Sequence, residues 1–287
     1  MHKILFIGLG TMGYPMAGYL SKSNEVTVFN RSLNKSEKWM TDYQGSFITD
    51  LSKIESDFDF IISCVGNDND LKEITISESG CFKKVKTKTI FIDHSTISPS
   101  LAVQINIEAN KKNITFLDAP ISGGQSGAEN GSLSIMVGGD KDAFEKSLTI
   151  FNSYGKKIMH MGGSGSGQYT KIINQICIAG LVQGLSEAVY FMKQTDLNPK
   201  DVLDVISSGA AQSWQLDNRF LTMVDGKYDF GFSVDLMRKD LSIAMKEAAG
   251  YGIDLEVTEI VDKFYSEIQQ IGGNKLDTSS LLKRLIS

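Results

Sequence analysis

Five residues, Lys3-Ile-Leu-Phe-Ile7, run directly into Gly8-Leu9-Gly10-Thr11-Met12-Gly13 and on into a helix-like stretch, Met12–Ser21. Few segments restrict a fold more. The run reads as a buried strand that must reverse into a helix, and three glycines make this possible. Gly8 permits the tight turn, Gly10 leaves room for a close approach to the backbone, and Gly13 lets helix and strand pack together. Free N–H groups at such a helix start attract anions. The G-x-G-x-x-G spacing therefore predicts a dinucleotide pyrophosphate seated against Gly8, Leu9, Gly10, Thr11, Met12 and Gly13. A glycine turn without a ligand is the plainer alternative; the placement between an apolar strand and an apolar-periodic helix favours the nucleotide.

The same alternation continues through the first half. Strand candidates are Lys3–Ile7, Val26–Phe29, Phe60–Val65, Thr89–Ile92, Thr115–Asp118, Ser134–Val137 and Lys157–Met159. Helix-like stretches between them include Met12–Ser21, Lys35–Tyr43, Pro99–Asn110 and Lys141–Phe151. Strands alternating with helices predict an α/β fold with a mainly parallel, doubly wound Rossmann-type sheet covered on both faces. Beyond Gly167 the pattern turns helical: Gln168 to about Gln194, Lys200–Ser208, Leu236–Ala249 and Glu256–Ile271. The glycine-rich stretch 162–167 is the natural joint. The expected organisation is a nucleotide-binding domain at 1–162 and an all-α C-terminal domain at 163–287.

Composition narrows the partners. The formal charge of −5 gives no basic surplus for a nucleic-acid backbone. No apolar run is read as reaching the length of a membrane span, and the N-terminus is a strand rather than a signal peptide. Cys64, Cys81 and Cys177, like His2, His94 and His160, are scattered. They suggest neither a metal site nor a disulfide framework, and a reducing cytoplasm is expected.

The second strand bears on which nucleotide is bound. NAD-preferring sites usually end this strand with a carboxylate that bonds the ribose 2′-hydroxyl. Here the chain reads Val28-Phe29-Asn30-Arg31-Ser32, with Lys35 one helical turn on. No carboxylate stands there to repel a 2′-phosphate, and Asn30, Arg31, Ser32 and Lys35 offer polar or cationic partners. NADP is expected, with NAD second. Val65, at the end of the third strand candidate, is assigned to the same cofactor crevice.

Lys171 opens an apolar helical run, Ile172–Val182, and Asn174 lies three residues on, on the same face. Burying an ammonium without partners costs several kcal/mol, roughly, so such a pair lines a cavity or meets specific partners. Desolvation, the helix start and an adjacent nicotinamide would each make Lys171 a readier proton donor to a carbonyl. A lysine snorkelling beside a structural amide is the competing interpretation. Leu117-Asp-Ala-Pro-Ile-Ser-Gly-Gly124 ends at Ser122, Gly123 and Gly124. Successive backbone N–H groups there suit a small carboxylate, though a plain loop has the same spelling.

These pieces together resemble the β-hydroxyacid dehydrogenase family. The matching segments are Gly8–Gly13 followed by Pro15, Asp93-His-Ser-Thr96, Asp118–Gly124, the G-x-G-x-x-x-K-x-x-N spacing of Gly165–Asn174, and Lys239-Asp240. The resemblance implies that Lys171 is catalytic with Asn174 beside it. It implies that Ser122, Gly123 and Gly124 bind the substrate carboxylate, that Thr96 and Lys239 touch the cofactor, and that Asp240 lies near the lysine. The resemblance also implies aromatic residues of the helical domain over the substrate, for which Trp214 and Phe232 are the candidates, with a core role the alternative for each. A homodimer or homotetramer through the helical domain is implied as well. The relative 6-phosphogluconate dehydrogenase carries a His and a Glu where this chain has Asn174 and Ile178. The expected activity is thus NADP-dependent interconversion of a small hydroxy acid and its semialdehyde or keto form. A catalytically silent NADP-binding sensor or scaffold is the alternative, and Lys171 with Asn174 argues against it.

Overall fold

The computed structural model describes residues 1–54, 57–85 and 88–286. By compactness the chain divides into two units, Met1–Lys171 and Ile172–Ser287.

The first unit is built in the order β1 (Lys3–Ile7), α1 (Gly13–Ser21), β2 (Glu25–Phe29), α2 (Leu33–Asp42), β3 (Ser46–Phe47), β4 (Phe60–Ser63), α3 (Asp68–Thr75), β5 (Ile90–Asp93), α4 (Pro99–Asn110), β6 (Thr115–Asp118), β7 (Ile121–Ser122), α5 (Gly124–Glu129), β8 (Leu133–Gly139), α6 (Lys141–Phe151) and β9 (Gly155–Gly162). The strands form one sheet in the order β3-β2-β1-β4-β5-β6-β8-β7, with β9 also paired to β8. Pairing is parallel from β3 to β6, antiparallel where β6 and β7 meet β8, and parallel again between β8 and β9. The chain order reverses between β1 and β4, which places the crevice of the doubly wound sheet at their carboxyl ends.

Alternation along each strand feeds two cores. Ile4, Phe6, Val28 and Ile62 point to one face with Trp39, while Leu5, Ile7, Ile61 and Phe91 point to the other with Leu101 and Ile105. Both faces are therefore covered. Helix starts are fixed locally. The Asp140 carboxylate accepts from Ala143 N at 2.8 Å to start α6, and Pro99 follows the cap Ser98 at the start of α4.

β4 is shorter than the expected Phe60–Val65. Cys64 N still donates to Ile7 O of β1, and beyond it the backbone leaves the ladder, Val65 N turning to the Ser95 hydroxyl. The structure also contains β3, α3, β7 and α5, beyond the segments named from the pattern.

The second unit consists of helices: the larger part of α7 (Ser166–Met192), then α8 (Pro199–Ser207), α9 (Trp214–Val224), α10 (Val234–Gly250), α11 (Glu256–Gln270) and α12 (Lys283–Ile286). Ala179 and Val182 of α7 pack with Met237, Leu241, Val261 and Tyr265. Leu185 and Val189 pack with Leu216, Phe220 and Met223.

α7 corrects two expectations. Its 27 residues, with a window of mean hydropathy 1.4, are long and apolar enough by length and composition to cross a membrane, a test that the core helix of a soluble protein also meets. The helix is not mostly buried either: Ile173, Leu181 and Phe191 are 62%, 47% and 72% exposed, because the packing helices cover only one side.

Candidate active site

The glycine turn of the first unit is shaped by steric exclusion. Gly8 has φ +100°, and a Cβ there would stand 2.3 Å from Cys64 O; a Cβ on Gly13 would stand 2.0 Å from Gly8 O. Gly10 faces open space. Two glycines therefore let β1, β4 and α1 approach one another, and the third leaves the backbone of the turn open to a close approach. Asn30 pins the turn from β2: its Oδ1 accepts from Leu9 N at 2.9 Å while its Nδ2 donates to Ser32 O at 3.1 Å. Thr11 is exposed and Met12 half-buried at the start of α1.

Arg31, Ser32 and Lys35 are all exposed beyond β2. One expectation changes here. A carboxylate does reach this position, supplied by α3 rather than β2: Asp70 Oδ1 lies 3.6 Å from Arg31 Nη1. Asn67 Nδ2 donates to Asp70 Oδ2 at 3.0 Å and holds it in place.

The end of β5 ties the crevice together. Ser95 accepts from Val65 N at 2.8 Å and donates to Asp93 Oδ1 at 2.6 Å, and Ser63 donates to the same oxygen at 2.7 Å. Burial, opposed by these hydroxyl bonds and reinforced by the nearby Asp118 charge, pushes Asp93 up to about 7. His94 is buried and pushed down to about 4, chiefly by desolvation. As a neutral ring it donates from Nδ1 to Ala119 O (2.6 Å) and accepts at Nε2 from the Tyr154 hydroxyl (2.8 Å), a structural role. Thr96 follows, half-buried.

Lys171 is 7% exposed, and its Nζ donates to Ile121 O at 2.8 Å. The amine is thus held against the residue that precedes Ser122. Gly123 and Gly124 have φ of +128° and +63°, and the half-buried Ser122 closes β7. The start of α7, which carries Lys171, is clamped by Asp118: its two oxygens accept from Gly165 N at 2.7 Å and Gln168 N at 3.1 Å. Burial pushes Asp118 up to about 6 against these amide bonds. Gln168 adds a second clamp, accepting from Ile97 N at 3.1 Å and donating to Ser95 O at 2.8 Å. Sequence reasoning missed Gln168 as a positioning group. Its only signal was a glutamine buried among the glycines of the joint.

In the helical unit, Asn174, Lys239 and Asp240 join one network. Asp240 Oδ1 lies 3.0 Å from Lys239 Nζ, and its Oδ2 accepts from Gln175 Nε2 at 2.6 Å. Gln175 Oε1 accepts from Asn174 Nδ2 at 2.8 Å. Gln175 was not foreseen. Trp214 and Phe232 lie outside this network. Trp214, the first residue of α9, is 46% exposed with the Arg219 guanidinium 4.8 Å from its ring centroid. Phe232 packs on the core around Val182 and donates its backbone N–H to Asp277.

Comparison with known proteins agrees with this arrangement. Residues 3–163 match the family model for the NAD binding domain of 6-phosphogluconate dehydrogenase, and residues 165–285 that for the NAD-binding region of NADP-dependent 3-hydroxyisobutyrate dehydrogenase. The chain is 48% identical to an uncharacterized oxidoreductase of Shewanella frigidimarina, over 99% of this chain and 98% of that protein. It is 33% identical to 2-hydroxy-3-oxopropionate reductase of Escherichia coli, over 99% and 97%. The structure of Mycobacterium tuberculosis 3-hydroxyisobutyrate dehydrogenase with L-serine is similar over the full length of both chains, with a TM-score of 0.87 and 25% identity. The chain belongs to the β-hydroxyacid dehydrogenase family and is an NAD(P)-binding oxidoreductase of hydroxy acids.

Proposed function

We propose that this protein reversibly reduces a small aldehyde or keto acid to the hydroxy acid with NADPH, and that Lys171 supplies the proton. Candidate substrates are the semialdehydes matching 3-hydroxyisobutyrate, tartronate semialdehyde, succinic semialdehyde and glyoxylate. The observation that carries this is the buried Lys171 amine, held 2.8 Å from Ile121 O at the edge of the Ser122–Gly124 loop. A substrate carboxylate bonded by that loop brings its carbonyl within reach of Nζ. NADPH, when bound, supplies the hydride to the carbonyl carbon. Lys171 gives the oxygen its proton, is left neutral and recovers a proton from solvent; oxidation runs the transfer backwards. Asn174 is assigned to the substrate.

Preference for NADP is supported by Arg31, exposed beyond a β2 that lacks a terminal carboxylate, and by the NADP-dependent family matching residues 165–285. The apolar residues exposed along α7 support a homodimer or homotetramer as the working form. A small-molecule carboxylate as the partner and a cytoplasmic location complete the proposal.

Lys171→Ala tests it. The chemical rate should fall by at least ~10², the usual contribution of a positioned acid–base group, while NADPH binding survives. Turnover at the parent rate in that variant would overturn the role of Lys171.

A further inference from the structure

Gln168 is fully buried in the first turn of α7, and both ends of its carboxamide go to one short stretch of chain. Its Oε1 accepts from Ile97 N at 3.1 Å, and its Nε2 donates to Ser95 O at 2.8 Å. These two groups flank Thr96: one belongs to the peptide before it, the other to the peptide after it. They are the pair that a residue of a parallel neighbouring strand would bond. A main-chain N–H only donates and a main-chain carbonyl only accepts, so the carboxamide has a single orientation here. One side chain therefore fixes both peptide planes around Thr96.

The stretch so held stands beside the glycine turn. Ser95 Oγ accepts from Val65 N at 2.8 Å, and a Cβ on Gly8 would stand 3.4 Å from Val65 Cγ1. Lys171 follows Gln168 by three residues, nearly one turn of the same helix, and its Nζ donates to Ile121 O at 2.8 Å. α7 has other attachments to the sheet. Asp118 of β6 accepts from Gly165 N and Gln168 N, and Gly167 lies so close to β8 that a Cβ would stand 2.4 Å from Met136 O. Of these three attachments, only the Gln168 side chain reaches the segment that follows β5. All of these residues belong to the first unit.

We infer that Gln168 is a positioning residue: it holds the Lys171 amine in register with the Ser95–Ile97 segment, and so fixes the amine's place relative to a nucleotide bound at the glycine turn. The inference rests on the proposed proton transfer by Lys171. A displacement of about 1 Å can cost a reaction about a hundredfold, so such a strut acts on rate before it acts on affinity.

Gln168→Met removes both bonds at a similar volume, while Asp118 and Gly167 still hold the helix start. With NADPH and the aldehyde acid that the parent protein reduces fastest, kcat should fall at least about tenfold. NADPH affinity in fluorescence titrations should stay within about threefold of the parent. In a Lys171→Ala background the same change should lower the residual rate less than about twofold, because Gln168 acts through the amine. Gln168→Glu supplies a second readout. Protonated, the new carboxyl donates to Ser95 O and accepts from Ile97 N, which restores both bonds; ionised, it sets an acceptor against an acceptor. Burial raises such a carboxyl well above its usual range. The Gln168→Glu rate relative to the parent should therefore fall at least about fivefold between about pH 6 and 9.5, with NADPH still bound at both, whereas the Gln168→Met ratio stays flat. Parent-like kcat in Gln168→Met, a matching loss of NADPH affinity, a loss that multiplies in full with Lys171→Ala, or a Gln168→Glu ratio that does not move with pH would each overturn the inference. Turnover at the parent rate in Lys171→Ala alone would instead remove the proposed proton donor, and this inference with it.

Discussion

Asp93 and Asp118 in the α/β unit are buried against hydroxyls and backbone amides, whereas Asp240 and Asp277 in the helical unit are buried against a lysine and an arginine. Both arrangements give partners to carboxylates that burial would otherwise penalise, although Asp93 Oδ2 has no hydrogen bond and Asp240 Oδ1 has only its ion pair with Lys239. They differ in what a change of protonation does. Asp93 and Asp118 are raised to about 7 and about 6, so they hold the strand ends while shedding charge near neutrality. Asp277 accepts two bonds from Arg219, at 3.0 and 3.3 Å, and bonds from Phe232 N and Ser279 besides. Asp277 is thus tied to three residues of its own unit by geometry, whereas Asp93 and Asp118 change charge near neutrality.

The sharpest way to break this contrast is Asp277→Ala. It strands a guanidinium whose side chain is only 14% exposed, together with the backbone amides of Phe232 and Ser279. A loss of about 3–5 kcal/mol in urea denaturation is expected for breaking one side of a buried pair. A cost below about 1 kcal/mol would show that the arginine pairing is not what holds these residues together.

A smaller effect separates the buried acids. An acid whose folded pKa exceeds its unfolded one binds more protons when folded. Its stability contribution is thus full below about 4 and is lost as pH rises through the folded value. Asp93 and Asp118 act in this sense up to about 7 and 6. His94, pushed down to about 4, acts in the opposite sense between about 4 and 6.5, gaining stability as pH rises. Asp93→Asn removes one contribution. Relative to the parent, the variant should gain up to about 3 kcal/mol between pH 5 and 8. A flat difference across that range would show that Asp93 does not titrate there.

The smallest effect belongs to an exposed pair in the first unit. Under the proposed NADP preference, Asp70 is the competitor of a 2′-phosphate for Arg31, whose side chain is 84% exposed and screened by solvent. Asp70→Asn should tighten NADPH about threefold and leave NADH unchanged in fluorescence titrations, with the gain shrinking in high salt. Equal changes for both nucleotides would remove Arg31 from 2′-phosphate recognition.

Legibility in the sequence followed the range of the interactions. β1, α4, β6 and α6 have the expected ends, because strand alternation and capping are written within a few residues. Lys171 stood out as a charge opening an apolar run. α3 is harder to see because Asn67-Asp-Asn-Asp70 carries no apolar periodicity at its start, although Asn67 is the cap that accepts from the N–H groups of Asn69 and Asp70. Gln175 and Gln168 were invisible for a different reason. Their partners lie 65 and 73 residues away in sequence, and a glutamine carries no periodicity that announces them. The exposed side of α7 was misjudged because hydrophobicity on every face does not say how many faces the neighbours cover.

The unequal crowding of the three turn glycines offers a practical separation of scaffold from chemistry. A methyl group at residue 8 or 13 collides with a main-chain carbonyl, and the strands cannot close around it. At residue 10 the same methyl meets no protein atom within 4 Å, in the turn whose spacing suits a diphosphate. Gly10→Ala should therefore give a folded, nucleotide-blind protein, a blank against which every ligand effect in this molecule can be read.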